Sequence, residues 1–331
     1  MNNFEHKHHA HCESGVMSSM LRHEGLNISE PMIFGLSNAL NFAYIPFVKI
    51  GGMPLVAYRS VPKSIIKNIK KNLNIEMKLE TFSSKEKGEK RLDELLSQGK
   101  IVGAQSSVYW LEYFPKEIRF HFNAHNLLIY GREGSEYLIS DPVFDKSVRC
   151  SKESLSKARF TKGVMAPKGL LYYPVNIPKD IDLKPIIAKN IKKLSKNMLR
   201  RYVPIAGLKG IEKLAKGILD LKSKDRKYTK LFLGNIIRMQ EEIGTGGAGF
   251  RFMYASFLKE ASELFENDKI LEEASKLMLE VGDEWRDFAL IIAKSIKSKK
   301  DTDLDLIHDK LIQISKNEAK VYHKLLEFKV K

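Results

Sequence analysis

Hydrophobic and polar positions divide the chain into two regimes. Residues 12–24 predict a first helix, with Cys12 near its start and Gly25 just past its end. Ser29-Glu30-Pro31 opens a second helix running to about Ala43, with Ser29 as N-cap and Pro31 near the first helical position. Gly51, Gly52 and Pro54 break residues 45–60 into a loop with short strands. Residues 62–73 predict another helix. Ile75, Met77 and Leu79 alternate with Glu76, Lys78 and Glu80, which predicts a half-buried strand. Residues 83–98 form a charged amphipathic helix closed by Gly99, and 101–111 read as a buried strand. Two apolar runs, 125–131 and 136–142, flank a short turn with Gly134 and predict an antiparallel hairpin. Residues 148–158 and a last strand at 169–173 follow. Beyond the proline-containing stretch 174–185, helical periodicity dominates, with helices expected near 184–200, 207–221, 226–243, 249–266, 268–297 and 301–329. Helices first and antiparallel strands afterwards make the first region α+β, and the second is all-α. The boundary is expected at 176/177, giving domains 1–176 and 177–331.

The chemistry concentrates at His11-Cys12-Glu13-Ser14-Gly15. A thiol attacks as thiolate, and a helix N-terminus with a neighbouring imidazolium favours that form. The bland alternative, a small buried hydrophobe, is the commoner fate of a free cysteine. A base candidate opens the predicted hairpin: His125. In an antiparallel pair the first residue of one strand lies opposite the last of the other, so His125 and Asp141 are expected neighbours. A carboxylate beside an imidazole fixes its tautomer and stabilises the imidazolium, the orienter's part in a nucleophile–base–acid triad. Cys150 follows the hairpin with no identifiable base and reads as structural.

In this order the residues resemble papain-like cysteine peptidases of the bacteriocin-leader-processing type, and more closely butirosin biosynthesis protein H and its relatives. The matching blocks are His11 to Gly15, Gly25-Leu26-Asn27-Ile28-Ser29-Glu30 with Phe34-Gly35-Leu36, and Tyr109-Trp110-Leu111. His125 to Gly131, Asp141-Pro142, and Gly244-Thr245-Gly246-Gly247 with Phe250-Arg251, Tyr254 and Phe257-Leu258 continue the match. The similarity spans nearly the whole chain, though each motif is short. It implies a papain-like catalytic domain and acyl transfer from an acyl-carrier-protein thioester to an amine. Leader peptidases place a Gln a few residues before the Cys as oxyanion donor; this segment holds Asn2, Asn3 and histidines instead. The Cys12 backbone N–H, His11 and Gln105 are the candidate donors. Glu30 is read either as a first-turn acid complementing the helix dipole or as a residue of the thiol site.

Composition and charge narrow the function. With 331 residues there is room for two domains and a sizeable core, and 43% hydrophobic with 29% charged residues suit a globular protein. Two cysteines are too few for a disulfide framework, which points to a reducing compartment and a cytoplasmic location. No apolar run of 18 residues predicts a membrane span. His8, His9, His11 and Cys12 are ligand types, but their contiguous spacing fits structural zinc poorly, and no metal is expected. Residues 179–230 hold 16 Lys/Arg against 5 Asp/Glu. A solvated face is the first reading of this block, docking of an acidic acyl carrier protein the second, and nucleic acid, for which no stacking or groove-reading motif is present, the third. The loop at Gly244, Thr245, Gly246 and Gly247 is read equally as a helix terminator or as a backbone cradle for a phosphopantetheine phosphate, with Arg251 nearby. Phosphopantetheine would arrive on the carrier, so no resident cofactor is expected. The leading expectation is a Cys12–His125–Asp141 acyltransferase with a small-molecule amine acceptor. A cysteine hydrolase or peptidase of the same fold, and an inactive binding module, are the alternatives.

Overall fold

The computed structural model describes residues 3–200, 202–298 and 302–330; Asn2, Arg201 and Asp301, which figure in the expectations above, lie outside them. After α1 (Cys12–His23) and α2 (Glu30–Leu36), a hairpin of β1 (Leu40–Ile50) and β2 (Met53–Arg59) leads through α3 (Ser64–Asn72) to β3 (Glu76–Glu80) and α4 (Lys85–Ser97). Then come β4 (Val102–Ser106), β5 (His125–Glu133), β6 (Glu136–Ser140), β7 (Val148–Ser151), α5 (Lys152–Phe160) and β8 (Leu171–Asn176). The remainder is helical: α6 (Leu183–Met198), α7 (Gly207–Leu219), α8 (Arg226–Ile237), α9 (Arg251–Leu264), α10 (Lys269–Lys297) and α11 (Leu304–Glu327).

Two compact units result. One comprises Met1–Ile33 and Ile65–Ile181, the other Phe34–Ser64 and Asp182–Lys331. In the first, six antiparallel strands lie in the order β3-β8-β4-β5-β6-β7. One face of this sheet buries Val102, Ala104, Leu127, Ile129 and Ile139 against Leu92 and Leu95 of α4 and Leu155 and Ala158 of α5. Alternation sends Gly103, Gln105, Asn126 and Tyr130 to the opposite face. There Phe4 stacks on Tyr130 with ring centroids 4.8 Å apart and also touches His23 of α1.

The chain does not divide once at 176/177 as expected: residues 34–64 belong with the helical unit. The second helix ends at Leu36 rather than near Ala43, because Asn38 adopts a left-handed φ of 52° and the segment after it is rich in aromatic and β-branched residues. These form one 11-residue strand in place of the end of the expected helix and the first of the expected short strands. The hairpin, turned at Gly51-Gly52, buries Leu40, Phe42, Tyr44, Val56 and Tyr58. Phe42 stacks on Trp285 of α10, and the Tyr44 N–H bonds the Ile205 carbonyl at 2.9 Å. So the helical unit is not purely α. The helix expected at 268–297 is one unbroken element.

Candidate active site

Helix α1 is enclosed along most of its length, Cys12 to Leu21 being buried. Its first turn is built from the side chains around it. The His11 ring caps the helix, Nδ1 accepting the Ser14 N–H at 3.3 Å. Glu30, the first residue of α2, gathers the segment preceding the thiol. Its Oε1 accepts the His11 N–H at 2.8 Å and the Ser14 hydroxyl at 2.9 Å, and its Oε2 accepts the Ala10 N–H at 2.9 Å. His9 Nδ1 stands 3.5 Å from Oε2. Glu30 therefore fixes the backbone that presents Cys12. The next acid, Glu13, turns away and accepts the N–H groups of Ile65 and Ile66, closing the start of α3.

Cys12 heads α1, where its own N–H has no intrahelical acceptor and the helix dipole favours negative charge. His125 begins β5. Its Nε2 lies 2.7 Å from Asp141 Oδ2, and Cys12 is close enough to act on the ring by charge and hydrogen bonding. With Nε2 engaged by the carboxylate, Nδ1 is the nitrogen left for sulfur. Burial is the largest influence on His125 and opposes its charge. The Asp141 carboxylate, by charge and hydrogen bond, and Cys12 outweigh it and raise the imidazole to about 10. His125 is thus held as an imidazolium beside the Cys12 sulfur. Asp141 is fully buried and also accepts the Tyr113 hydroxyl at 2.8 Å and the Val143 N–H at 3.3 Å. Burial first, then the Asp141 charge, push the Tyr113 hydroxyl well above 10, so it stays a donor. Phe114 meets the His125 ring edge-on at 5.6 Å.

The route to this contact differs from the expected one. Strand β5 runs on to Glu133 and the turn tightens to Gly134-Ser135, with Leu128 rather than Asn126 opposite Ser140. Asp141 is therefore not His125's direct cross-strand partner, and the side chains reach each other diagonally. An N-terminal strap holds the Asp141 turn beside α1. His6 lies 2.7 Å from Ser140 Oγ and bonds the Phe144 carbonyl at 2.9 Å, and the His9 N–H bonds the Pro142 carbonyl at 2.7 Å. His6, His9 and His11 thus serve as protein contacts. Among the described residues no cluster of three His, Cys, Asp or Glu is arranged to hold a metal.

Gln105 is buried on the sheet face covered by α1, the helix that Cys12 heads. The remaining sequence candidates fall elsewhere. Arg251 is fully buried and bonds Glu318 at 2.9 Å; Glu318 also accepts from Trp285 Nε1 and the Tyr322 hydroxyl. The phosphate-cradle reading of the glycine loop gives way to packing. Its Ala248 N–H already donates to Glu241, Thr245 Oγ1 bonds the Gln240 carbonyl, and Arg251 is closed inside the helical core. Gly249, at φ 55°, fits because Tyr58 lies where a Cβ would sit, 2.2 Å from it. Cys150 donates to Ser154 Oγ at 3.4 Å, and burial pushes its thiol up to about 12. Tyr113 was not singled out in the sequence, because it sits in the irregular stretch between β4 and β5 with no periodicity to mark it.

The model for "Butirosin biosynthesis protein H, N-terminal" matches residues 11–142, and that for "Domain of unknown function (DUF4872)" matches residues 153–325. No curated protein is matched. Among solved structures, a Bacillus anthracis chain described as a C39-like peptidase is 16% identical, with a TM-score of 0.38 over 54% of this chain and 98% of that chain. No helix among the described residues is long and apolar enough to cross a membrane. The model for the domain of unknown function covers more than half of the chain, so the chain belongs to that family, and its residues 11–142 are similar to the N-terminal part of butirosin biosynthesis protein H.

Proposed function

We propose that this protein is a cysteine acyltransferase that takes an acyl group from a carrier-protein thioester and passes it to an amine. The observation that carries this reading is the chain of contacts from Cys12 through His125 to Asp141 at the start of a buried helix. The Cys12 thiolate attacks the thioester carbonyl; a new C–S bond forms, and the carrier thiol leaves with the proton of the His125 imidazolium. The amine then attacks the acyl-enzyme, the C–N bond forms, Cys12 departs as thiolate, and His125 takes the amine's proton. The N–H of Cys12, free of an intrahelical acceptor at the head of α1, is a donor for the oxyanion. Cys12 is 7% exposed and His125 4%, which favours transfer over hydrolysis because water has little access. The lysines that α6 turns to solvent, among them Lys189, Lys192, Lys193 and Lys196, are a docking face for an acidic carrier by salt-sensitive steering.

The test is mass spectrometry after incubation with an acyl-carrier thioester. The expected result is an acyl adduct on Cys12 that is absent in Cys12→Ala and is discharged by added amine to give amide. No adduct on the wild type, or one surviving Cys12→Ala, rejects the reading. Free acid formed at the same rate with and without amine makes the protein a hydrolase instead.

A further inference from the structure

Gln105 is the anomaly of the catalytic unit. It is 1% exposed, and neither its amide nitrogen nor its amide oxygen has a hydrogen-bond partner among the described residues. A buried carboxamide left wholly unpaired is costly and rare in folded proteins. Its backbone is regular: Gln105 pairs with Asn126 across β4 and β5, next to the pair Ser106↔His125. That pair neighbours the base along the strands, and alternation turns Gln105 to the face covered by α1, the helix that Cys12 heads. Its neighbours on that face are polar but satisfied. The Asn126 amide oxygen accepts the Tyr172 hydroxyl at 3.1 Å, and the Asn126 amide nitrogen donates to the Ala124 carbonyl at 3.1 Å. The Tyr172 ring lies over Gly103, and after burial the charges of Glu13 and Cys12 are what act on its hydroxyl. The face that carries Gln105 is thus the one on which the thiol's surroundings bear.

A carboxamide with both a free donor and a free acceptor is complementary to a secondary amide, which offers one acceptor and one donor in return. Every thioester carried on a phosphopantetheine arm contains such a group two methylenes from sulfur, S–CH2–CH2–NH–C(=O). Resting on the acyl-transfer reading above, the geometry points to Gln105 as the residue that reads this amide and so selects carrier-type thioesters over simple ones. The bound amide then supplies the two hydrogen bonds that the empty protein lacks.

Two thioesters with the same acyl group test this: an N-acetylcysteamine thioester, which has the amide, and an alkyl thioester of equal length, which lacks it. The readout is the rate of Cys12 acylation by intact mass, in wild type, Gln105→Met and, as a second apolar variant, Gln105→Leu. Wild type is expected to prefer the amide-bearing donor by about 10-fold or more. Both variants are expected to lose that preference and to melt no lower than wild type. An absent preference in wild type, or one that survives in a folded Gln105 variant, overturns the inference while leaving acyl transfer standing. If neither thioester labels wild-type Cys12, the acyl-transfer reading fails and takes the inference with it.

Discussion

Replacing Asp141 with asparagine separates the charge of the buried site from its shape. The rise of His125 from 6.5 to about 10 corresponds to on the order of 5 kcal/mol in favour of the imidazolium, shared between Asp141 and Cys12 and opposed by burial. Asp141→Asn keeps an acceptor for the Tyr113 hydroxyl but removes the charge and turns an amide N–H₂ or a weaker oxygen toward Nε2. Burial then acts with little opposition, and the imidazole is expected to titrate at or below ~6.5. Because the folded-state value is raised in the wild type, the stabilisation from the charged ring is complete below ~6.5 and is lost as pH climbs through about 10. The stability difference between wild type and Asp141→Asn should therefore be largest near neutrality and below, and shrink toward pH 10. The assay is NMR titration of the labelled His125 ring, read beside thermal melts and the pH profile of Cys12 acylation. By analogy with a triad whose aspartate is neutralised, acylation at pH 7 should fall by on the order of 10⁴-fold. A variant whose His125 still titrates near the wild-type midpoint would refute the account, since Asp141 would not then be what holds the proton on the ring.

Two further substitutions probe the supports of the site and of the helical unit. Glu30→Gln replaces an oxygen that accepts backbone N–H groups of the segment before Cys12 with an amide that cannot accept them. A loss of about 1–3 kcal/mol in urea denaturation and slower Cys12 acylation are expected, and unchanged values would show that Glu30 does not hold the segment. Glu318→Ala leaves Arg251 charged and unpaired in the core of the helical unit and should cost about 3–5 kcal/mol by the same measurement; a cost below about 1 kcal/mol would mean that the pair does not organise that core.

The sequence by itself determined the local elements and the order of the reactive groups. Cys12 at a helix start, the apolar hairpin after His125, and Asp141 at the end of its return strand were legible because helix caps and strand alternation are short-range signals. The succession of long amphipathic helices after residue 182 was legible for the same reason. Tertiary structure alone decided which of these groups meet. Tyr113 reaches Asp141 from an aperiodic loop, Glu30 binds backbone N–H groups that any residues could supply, and Arg251 finds Glu318 across 67 residues. It also assigned the hairpin of residues 40–59 to the helical unit, because its buried aromatic face matches Trp285 rather than the six-stranded sheet. Such choices depend on complementary surfaces brought together by the folded chain, and no spacing along the sequence encodes them.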